Sequence, residues 1–154
     1  MTPTQSPFPG LKAPLEKKAP ARVAGARPAV DHSVLDRLEE ELEEDAGYTP
    51  VFVANFIQGL PGRVERLRVA LVSGDLAGSF DDVLSLKTSS QMVGAEQLAF
   101  LARQLETGLR RKAAAADQTV ALPQLAGTFL APITRCSRET VHSLTSRQAD
   151  PLQR

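Results

Sequence analysis

The spacing of hydrophobic residues predicts helices along most of the chain. Apolar side chains recur every three or four positions, which places them on one face of a helix. No stretch of strand length alternates apolar and polar residues between turn signals. We therefore predict an all-α fold. Five amphipathic segments with short connections favour an antiparallel up-down four-helix bundle, with an additional N-terminal helix that caps it.

The second helix has the clearest boundaries. Thr49 is a good N-cap, and Pro50 can take the first helical position without losing a needed hydrogen bond. Ser73 and Gly74 provide a stop. Pro61 lies in the middle of this segment and should kink or split the helix.

The other helices are predicted from leucine-rich stripes and their flanking residues. The last one should begin near residues 119–122, because Pro123 is tolerated only in a first turn. The remaining segments are an acidic helix from residues 31–33 to Gly47, a helix from 76 to 93, and a helix that ends near Lys112.

Composition divides the chain into three regions. Residues 1–30 contain six prolines, five basic residues and one acidic residue, so their net charge is +4. Proline at this density interrupts helices, and no apolar period offers a core face. We predict a disordered, proline-rich basic tail at 1–30, a helical bundle at 31–147 and a frayed C-terminus at 148–154. The dispersed charges favour a solubilising leader over a binding site for an acidic partner.

Charge and cysteine content exclude several classes of protein. The 154-residue chain is formally neutral, which argues against a dedicated nucleic-acid binder. No apolar run approaches the roughly 18 residues of a membrane span, and the start of the chain lacks a signal-peptide pattern. The single cysteine cannot form an internal disulfide. We therefore expect a cytoplasmic protein.

Candidate catalytic residues are few. His32 and His142 lie far apart in sequence, and both are predicted to be exposed. Cys136 lies on the core stripe of the last helix, on a different face from His142, so we predict a buried hydrophobic residue instead of a nucleophile. The glycines match no phosphate-binding loop, and the acidic first helix has no histidines at metal-ligand spacing. We predict no enzymatic activity, no cofactor and no metal site.

The predicted third helix carries two stripes. Its core stripe consists of Val83, Leu86, Ser90 and Val93. The second stripe lies on a different face because its members follow the spacing i, i+3, i+4, i+7: Leu84, Lys87, Thr88 and Gln91. This second face is either a docking patch or a solvent-exposed surface that happens to contain one leucine. Periodicity alone favours the solvent-exposed surface.

Several short motifs surround this helix: Ser-Gly-Asp at 73–75, Leu-Lys at 86–87, Val-Gly-Ala at 93–95 and Leu-Glu at 105–106. Because it contains these motifs, the segment 31–144 resembles the histidine-containing phosphotransfer (HPt) domain of two-component phosphorelays. The resemblance implies a helical bundle whose partners are response-regulator receiver domains or histidine kinases. It also implies a structural role for Gly94, which lies at the corner after the third helix.

The chain departs from the family at the centre of the motif. The resemblance puts the phosphorylatable histidine at Leu84, which has no nitrogen nucleophile, and a family glycine at Thr88. Lys87, which in the family helps to hold phosphoryl oxygens, is kept. Phe80 replaces a usually small residue one turn before Leu84. The resemblance therefore implies that the chain has no catalytic residue. It also implies a partner-docking face that consists of Phe80, Leu84, Lys87, Thr88 and Gln91. The alternative is that the residues of the former active face have changed without gaining a new function.

Three functional hypotheses follow from the sequence. The leading one is an HPt-like signalling protein that has lost phosphotransfer and binds a receiver domain or a kinase. A second is a structural or adaptor bundle outside phosphorelays, which would bind through the acidic first helix or the basic tail. The third is an active phosphocarrier that uses a non-standard residue. A monomer is favoured in each case.

Overall fold

The computed structural model describes residues 28–42 and 48–149. Over these residues the chain is all-α, as predicted, and contains no strand. The helices are α1 (His32–Glu41), α2 (Tyr48–Ser73), α3 (Leu76–Met92), α4 (Glu96–Lys112) and α5 (Gln118–Ala149). Helix α3 packs against α2 and α4, and α5 packs against the same two helices. The four long helices thus form the predicted bundle, with α3 and α5 diagonally opposite.

The bundle core is built from leucines at helical spacing. The predicted core stripe of α3 is fully buried, and Leu67, Leu98, Leu105 and Leu144 from the other helices are also fully buried. Burying each such side chain contributes about 1.5–3 kcal/mol of hydrophobic stabilisation. The core therefore fixes the rotation of α3 about its axis and decides which of its residues face solvent.

Two glycines turn the chain between helices. Gly74 and Gly94 both have φ of 77°, a backbone conformation that favours glycine. At Gly94, a Cβ atom would lie 2.4 Å from the carbonyl oxygen of Asp31. The Gly94 carbonyl also accepts a 2.6 Å hydrogen bond from the Asp31 amide. This corner therefore holds the start of α1 against the end of the bundle.

Helix α1 is tied to the same end by a buried arginine of α5. The Arg147 guanidinium donates to Asp36 and Glu39 of α1, each at 2.9 Å, and to the His32 carbonyl at 3.4 Å. Leu35 of α1 is fully buried. The acidic helix is therefore a cap on the bundle, and part of its charge is neutralised inside the molecule.

Some predicted boundaries differ from the structure. Pro61 does not split α2, which runs without a break from Tyr48 to Ser73. Proline removes one backbone hydrogen-bond donor from the helix. Leu60 and Leu67, which lie before and after the proline, are buried in the core and hold the helix in place on both sides. Helix α5 begins at Gln118, slightly earlier than predicted, and reaches Ala149. The predicted stop at Gly47, most of the predicted tail and the last five residues lie outside the described residues.

Within the described part of the chain, no helix combines the length and the apolar character needed to cross a bilayer.

Candidate functional site

The outer face of α3 presents a leucine at its centre. Leu84 is 40% exposed, although its neighbours Val83 and Leu86 are fully buried. Thr88 and Gln91 continue the exposed stripe toward the end of the helix. Phe80, one turn earlier, is partly buried and packs against the edge of the core. The five residues that the resemblance implied for docking thus lie along one side of α3, and Leu84 forms its apolar centre.

Lys87, the remaining member of this group, is held by a neighbouring helix. Its Nζ lies 2.8 Å from Oε1 of Glu106 on α4, and Oε2 of Glu106 lies 2.5 Å from Nη2 of Arg110. Glu106 is only 7% exposed. The hydrogen bond from Lys87 lowers the pKa of Glu106, and the charges of Lys87 and Arg110 act in the same direction against burial. The Lys87 ammonium therefore already has a carboxylate partner at the edge of the face.

Helix α2 supplies cations on the other side of Leu84. The Arg63 guanidinium donates to Oγ of Ser85, the residue that follows Leu84. Arg66 lies one turn further along α2. Burial raises the pKa of Asp82 on α3, and the charge of Arg66 acts in the opposite direction. The exposed leucine therefore has arginines of α2 on one side, and on the other the ion pair between Lys87 of α3 and Glu106 of α4.

The sequence analysis did not assign these arginines or Glu106 to the site. Arg63 and Arg66 follow Gly59 at spacings of four and seven, so they share a face of α2 beside its apolar stripe. That spacing was the available signal. The spacing does not show which neighbouring helix the arginines face, because that depends on how the helices pack in the bundle.

The two histidines meet at the end of the bundle. They line one pocket together with Ser143 and Ser146, although His32 and His142 are 110 residues apart in sequence. His142 is exposed as predicted, whereas His32 is partly buried and its Nε2 lies 3.2 Å from Oγ of Ser143. Burial lowers the pKa of His32, and the charge of Arg147 adds to this effect. This pocket belongs to α1 and α5, and the Leu84 face belongs to α3.

The remaining candidates from the sequence are Cys136 and clusters of metal-ligating side chains. Cys136 is buried as predicted, and burial raises the pKa of its thiol to about 11, so it remains protonated at neutral pH. No group of three or more histidine, cysteine, aspartate or glutamate side chains in residues 28–42 and 48–149 could hold a metal ion.

Comparisons with known proteins agree with the helical-bundle fold. The family model described as the Hpt domain matches residues 51–131, a segment that includes all of α3 and α4. A solved structure, histidine-containing phosphotransfer protein B (HptB) from Pseudomonas aeruginosa PAO1, matches with a TM-score of 0.63 and 25% sequence identity. The match covers 81% of this chain and 99% of that chain. No curated protein sequence matches significantly.

Proposed function

The chain belongs to the Hpt domain family, and from this premise we propose that it is a phosphorelay protein that binds signalling partners without carrying a phosphoryl group. The observation that carries the proposal is the exposed Leu84 at the centre of α3, where the family resemblance puts the phosphorylatable histidine. An aliphatic side chain has no lone pair with which to attack an aspartyl phosphate. The protein would then have no catalytic residue of its own.

The surroundings of Leu84 support binding in place of transfer. Lys87 is paired with Glu106 at 2.8 Å, so its charge is already balanced by a nearly buried carboxylate within the molecule. Thr88 adds a β-branched side chain where the family has glycine. The face therefore offers a partner an apolar centre and a cationic border, and no nucleophile.

The partner we propose is a receiver domain, with a histidine kinase as the other family partner. A central apolar anchor bordered by charged groups is a common arrangement in interfaces, where a few central residues contribute most of the affinity. Leu84 and Phe80 would form the anchor, while Arg63 and Arg66 would steer an acidic surface toward it. Under this proposal the protein acts in the cytoplasm as a monomer.

An adaptor function outside phosphorelays is less well supported. Its candidate surfaces would be the acidic helix α1 and the basic tail. Asp36 and Glu39 of α1 are engaged by Arg147 within the molecule, and most of the tail lies outside the described residues. For an active phosphocarrier, the available histidines are His32 and His142. Both lie at the end of the bundle on α1 and α5, away from the face of α3.

A transfer and binding experiment tests the proposal. The protein is mixed with receiver domains whose aspartate carries a radiolabelled phosphoryl group, and both label transfer and affinity are measured. We expect measurable binding to at least one receiver and no label on this chain. Label that is lost in acid and stable in base would identify a phosphohistidine and contradict the loss of transfer. Failure to bind any receiver or kinase would favour the adaptor.

A further inference from the structure

A second concave surface lies between α2 and α5, away from the Leu84 face. It is a groove of about 460 Å³ whose lining includes no residue of α3. Its walls are mainly apolar, with Leu60 and Val64 on α2 and Leu130 and Val141 on α5. This volume is within the range of about 300–1,000 Å³ that is typical of small-ligand sites.

Three polar side chains of α5 line the same groove: Thr134, Ser137 and Arg138. Ser137 is 8% exposed, and its Oγ is buried without a hydrogen-bond partner among the described residues. Buried hydroxyl groups are usually hydrogen-bonded, so this donor is unused, and a ligand would reach it after the Ser137 side chain rotates toward the groove. The next residue, Arg138, is exposed at the rim and forms no ion pair within the described part of the chain. A hydroxyl and a guanidinium donor thus adjoin an otherwise apolar cleft.

The opposite wall limits the charge that a ligand can carry. There, Glu65 and Arg68 of α2 form a two-bond ion pair, with distances of 3.0 Å and 2.6 Å. Arg68 is therefore occupied, and Glu65 repels additional negative charge. Arg138 remains as one uncommitted cation, which suits a monoanion better than a dianionic phosphate.

We infer that this groove binds a free, single-chain anionic amphiphile of the fatty-acid class. The alkyl chain would lie between the apolar walls, where each buried methylene group is removed from water. The terminal carboxylate would accept hydrogen bonds from Arg138, because a planar guanidinium matches a carboxylate in geometry, and from Ser137 once its side chain turns toward the groove. This inference does not depend on the proposed function, since the groove and the Leu84 face share no residue.

Methyl NMR with dodecanoate as the probe tests the inference. The full-length protein is titrated at dodecanoate concentrations below micelle formation. We expect saturable shifts of the methyl groups of Leu60, Val64, Leu130 and Val141, with the Leu84 methyl groups unchanged. Arg138→Gln should weaken dodecanoate binding about tenfold, the size expected for a lost charged hydrogen bond. The neutral analogue dodecanol should bind both forms within about twofold.

Two further variants separate the head-group contacts from general effects. Ser137→Ala should weaken dodecanoate several-fold and keep the fold, because it removes a hydroxyl that has no partner in the structure. Arg135→Gln is the matched control, since Arg135 is also exposed on α5 but does not line the groove. It should change the affinity by less than about twofold. Thermal unfolding of each variant verifies that its fold is retained.

Several results would overturn the inference. Shifts that never saturate, or that affect Leu84 equally, would mean nonspecific association. Equal weakening by Arg135→Gln and Arg138→Gln would remove the specific carboxylate contact. Broadening of the groove methyl signals when the protein alone is concentrated would identify a second copy of the chain as the occupant. Co-sedimentation with phosphatidylglycerol vesicles, without binding of dodecanoate, would identify a membrane surface.

Discussion

Lys87 of α3 and Glu106 of α4 form an ion pair at 2.8 Å, and the carboxylate is nearly buried. The pair joins two neighbouring helices of the bundle beside the exposed Leu84. It neutralises a carboxylate that would otherwise be left in a poorly solvated position. A residue that the family resemblance associates with phosphoryl binding therefore also has a structural partner in this chain.

Replacement of Glu106 should destabilise the bundle. Glu106→Gln keeps the shape of the side chain but leaves Lys87 without a counter-charge, and we expect the free energy of unfolding to fall by about 1–3 kcal/mol. Arg110→Gln is the control, since Arg110 is 71% exposed in its side chain and should cost less than about 1 kcal/mol. Urea unfolding of both variants measures the difference. Equal stability of Glu106→Gln and the wild type would contradict a structural role for the pair.

The same carboxylate should make stability depend on pH. Its folded-state pKa is lowered from an ordinary value of 4.5, so ionised Glu106 stabilises the fold fully above about pH 4.5. This contribution is lost as the pH falls from about 4.5 through the lowered pKa, because the unfolded state takes up its proton at a higher pH than the folded state. In Glu106→Gln, the drop in stability below pH 4.5 should be smaller than in the wild type. If the free energy of unfolding depended on pH in the same way in both proteins, Glu106 would not be a cause of that dependence.

A second stability prediction concerns the corner between α3 and α4. Gly94→Ala would introduce a Cβ 2.4 Å from the Asp31 carbonyl at a φ of 77°, so we expect a loss of about 1–3 kcal/mol. The control is Gly127→Ala in α5, where no atom lies within 4 Å of the added Cβ. That change should stabilise the protein by about 0.5–1 kcal/mol. Thermal unfolding distinguishes the two, and a neutral Gly94→Ala would contradict the close approach.

The bundle was predictable because its core repeats are local. Leucine spacing fixes which side of each helix is buried, and that register also leaves Leu84 outside the core stripe. Asp75 was predictable as the N-cap of α3, since its side chain accepts from the Gly78 amide three residues later. These features depend on residues within one or two turns of each other.

The contacts around the site could not be predicted in the same way. Lys87 and Glu106 are 19 residues apart, and Arg63 and Ser85 are 22 apart. Their pairing depends on how the helices rotate against each other, which the core as a whole determines. Of the kink or split predicted at Pro61, the split was wrong for a related reason: packing of α2 on both sides of the proline overrides a local preference.

Removal of Arg147 should release α1 while the bundle stays folded. Arg147→Met keeps an apolar stem but deletes the bonds to Asp36 and Glu39, whose carboxylates are partly exposed and can be hydrated. We expect faster amide hydrogen exchange over residues 32–41, with exchange in α3 and α4 little changed. Arg135→Met, at an exposed position of the same helix, should leave α1 protected. Unchanged exchange in Arg147→Met would show that Leu35 and the Gly94 corner are sufficient to hold α1.

Charge at the centre of the α3 face should prevent partner binding. Leu84→Asp introduces a carboxylate into the proposed apolar anchor, and we expect at least a tenfold loss of affinity for the cognate receiver or kinase, measured by calorimetry. The position is exposed, so the fold should be retained. Gln104→Asp adds the same charge at an exposed position of α4 and should have an effect of less than about threefold. If Leu84→Asp and Gln104→Asp bind like the wild type, the docking face lies elsewhere.

Restoring a nucleophile should reveal whether the scaffold still supports transfer. Leu84→His combined with Thr88→Gly puts an imidazole at the exposed centre of α3 and removes the adjacent branched side chain. We expect this double variant to accept label from a phosphorylated receiver that binds the wild type, and the label should be labile in acid and stable in base. Leu84→Ala with Thr88→Gly is the matched control and should remain unlabelled, because it opens the same space without a nucleophile. A folded double variant that binds the receiver but accepts no label would mean that loss of the histidine alone does not account for the loss of transfer.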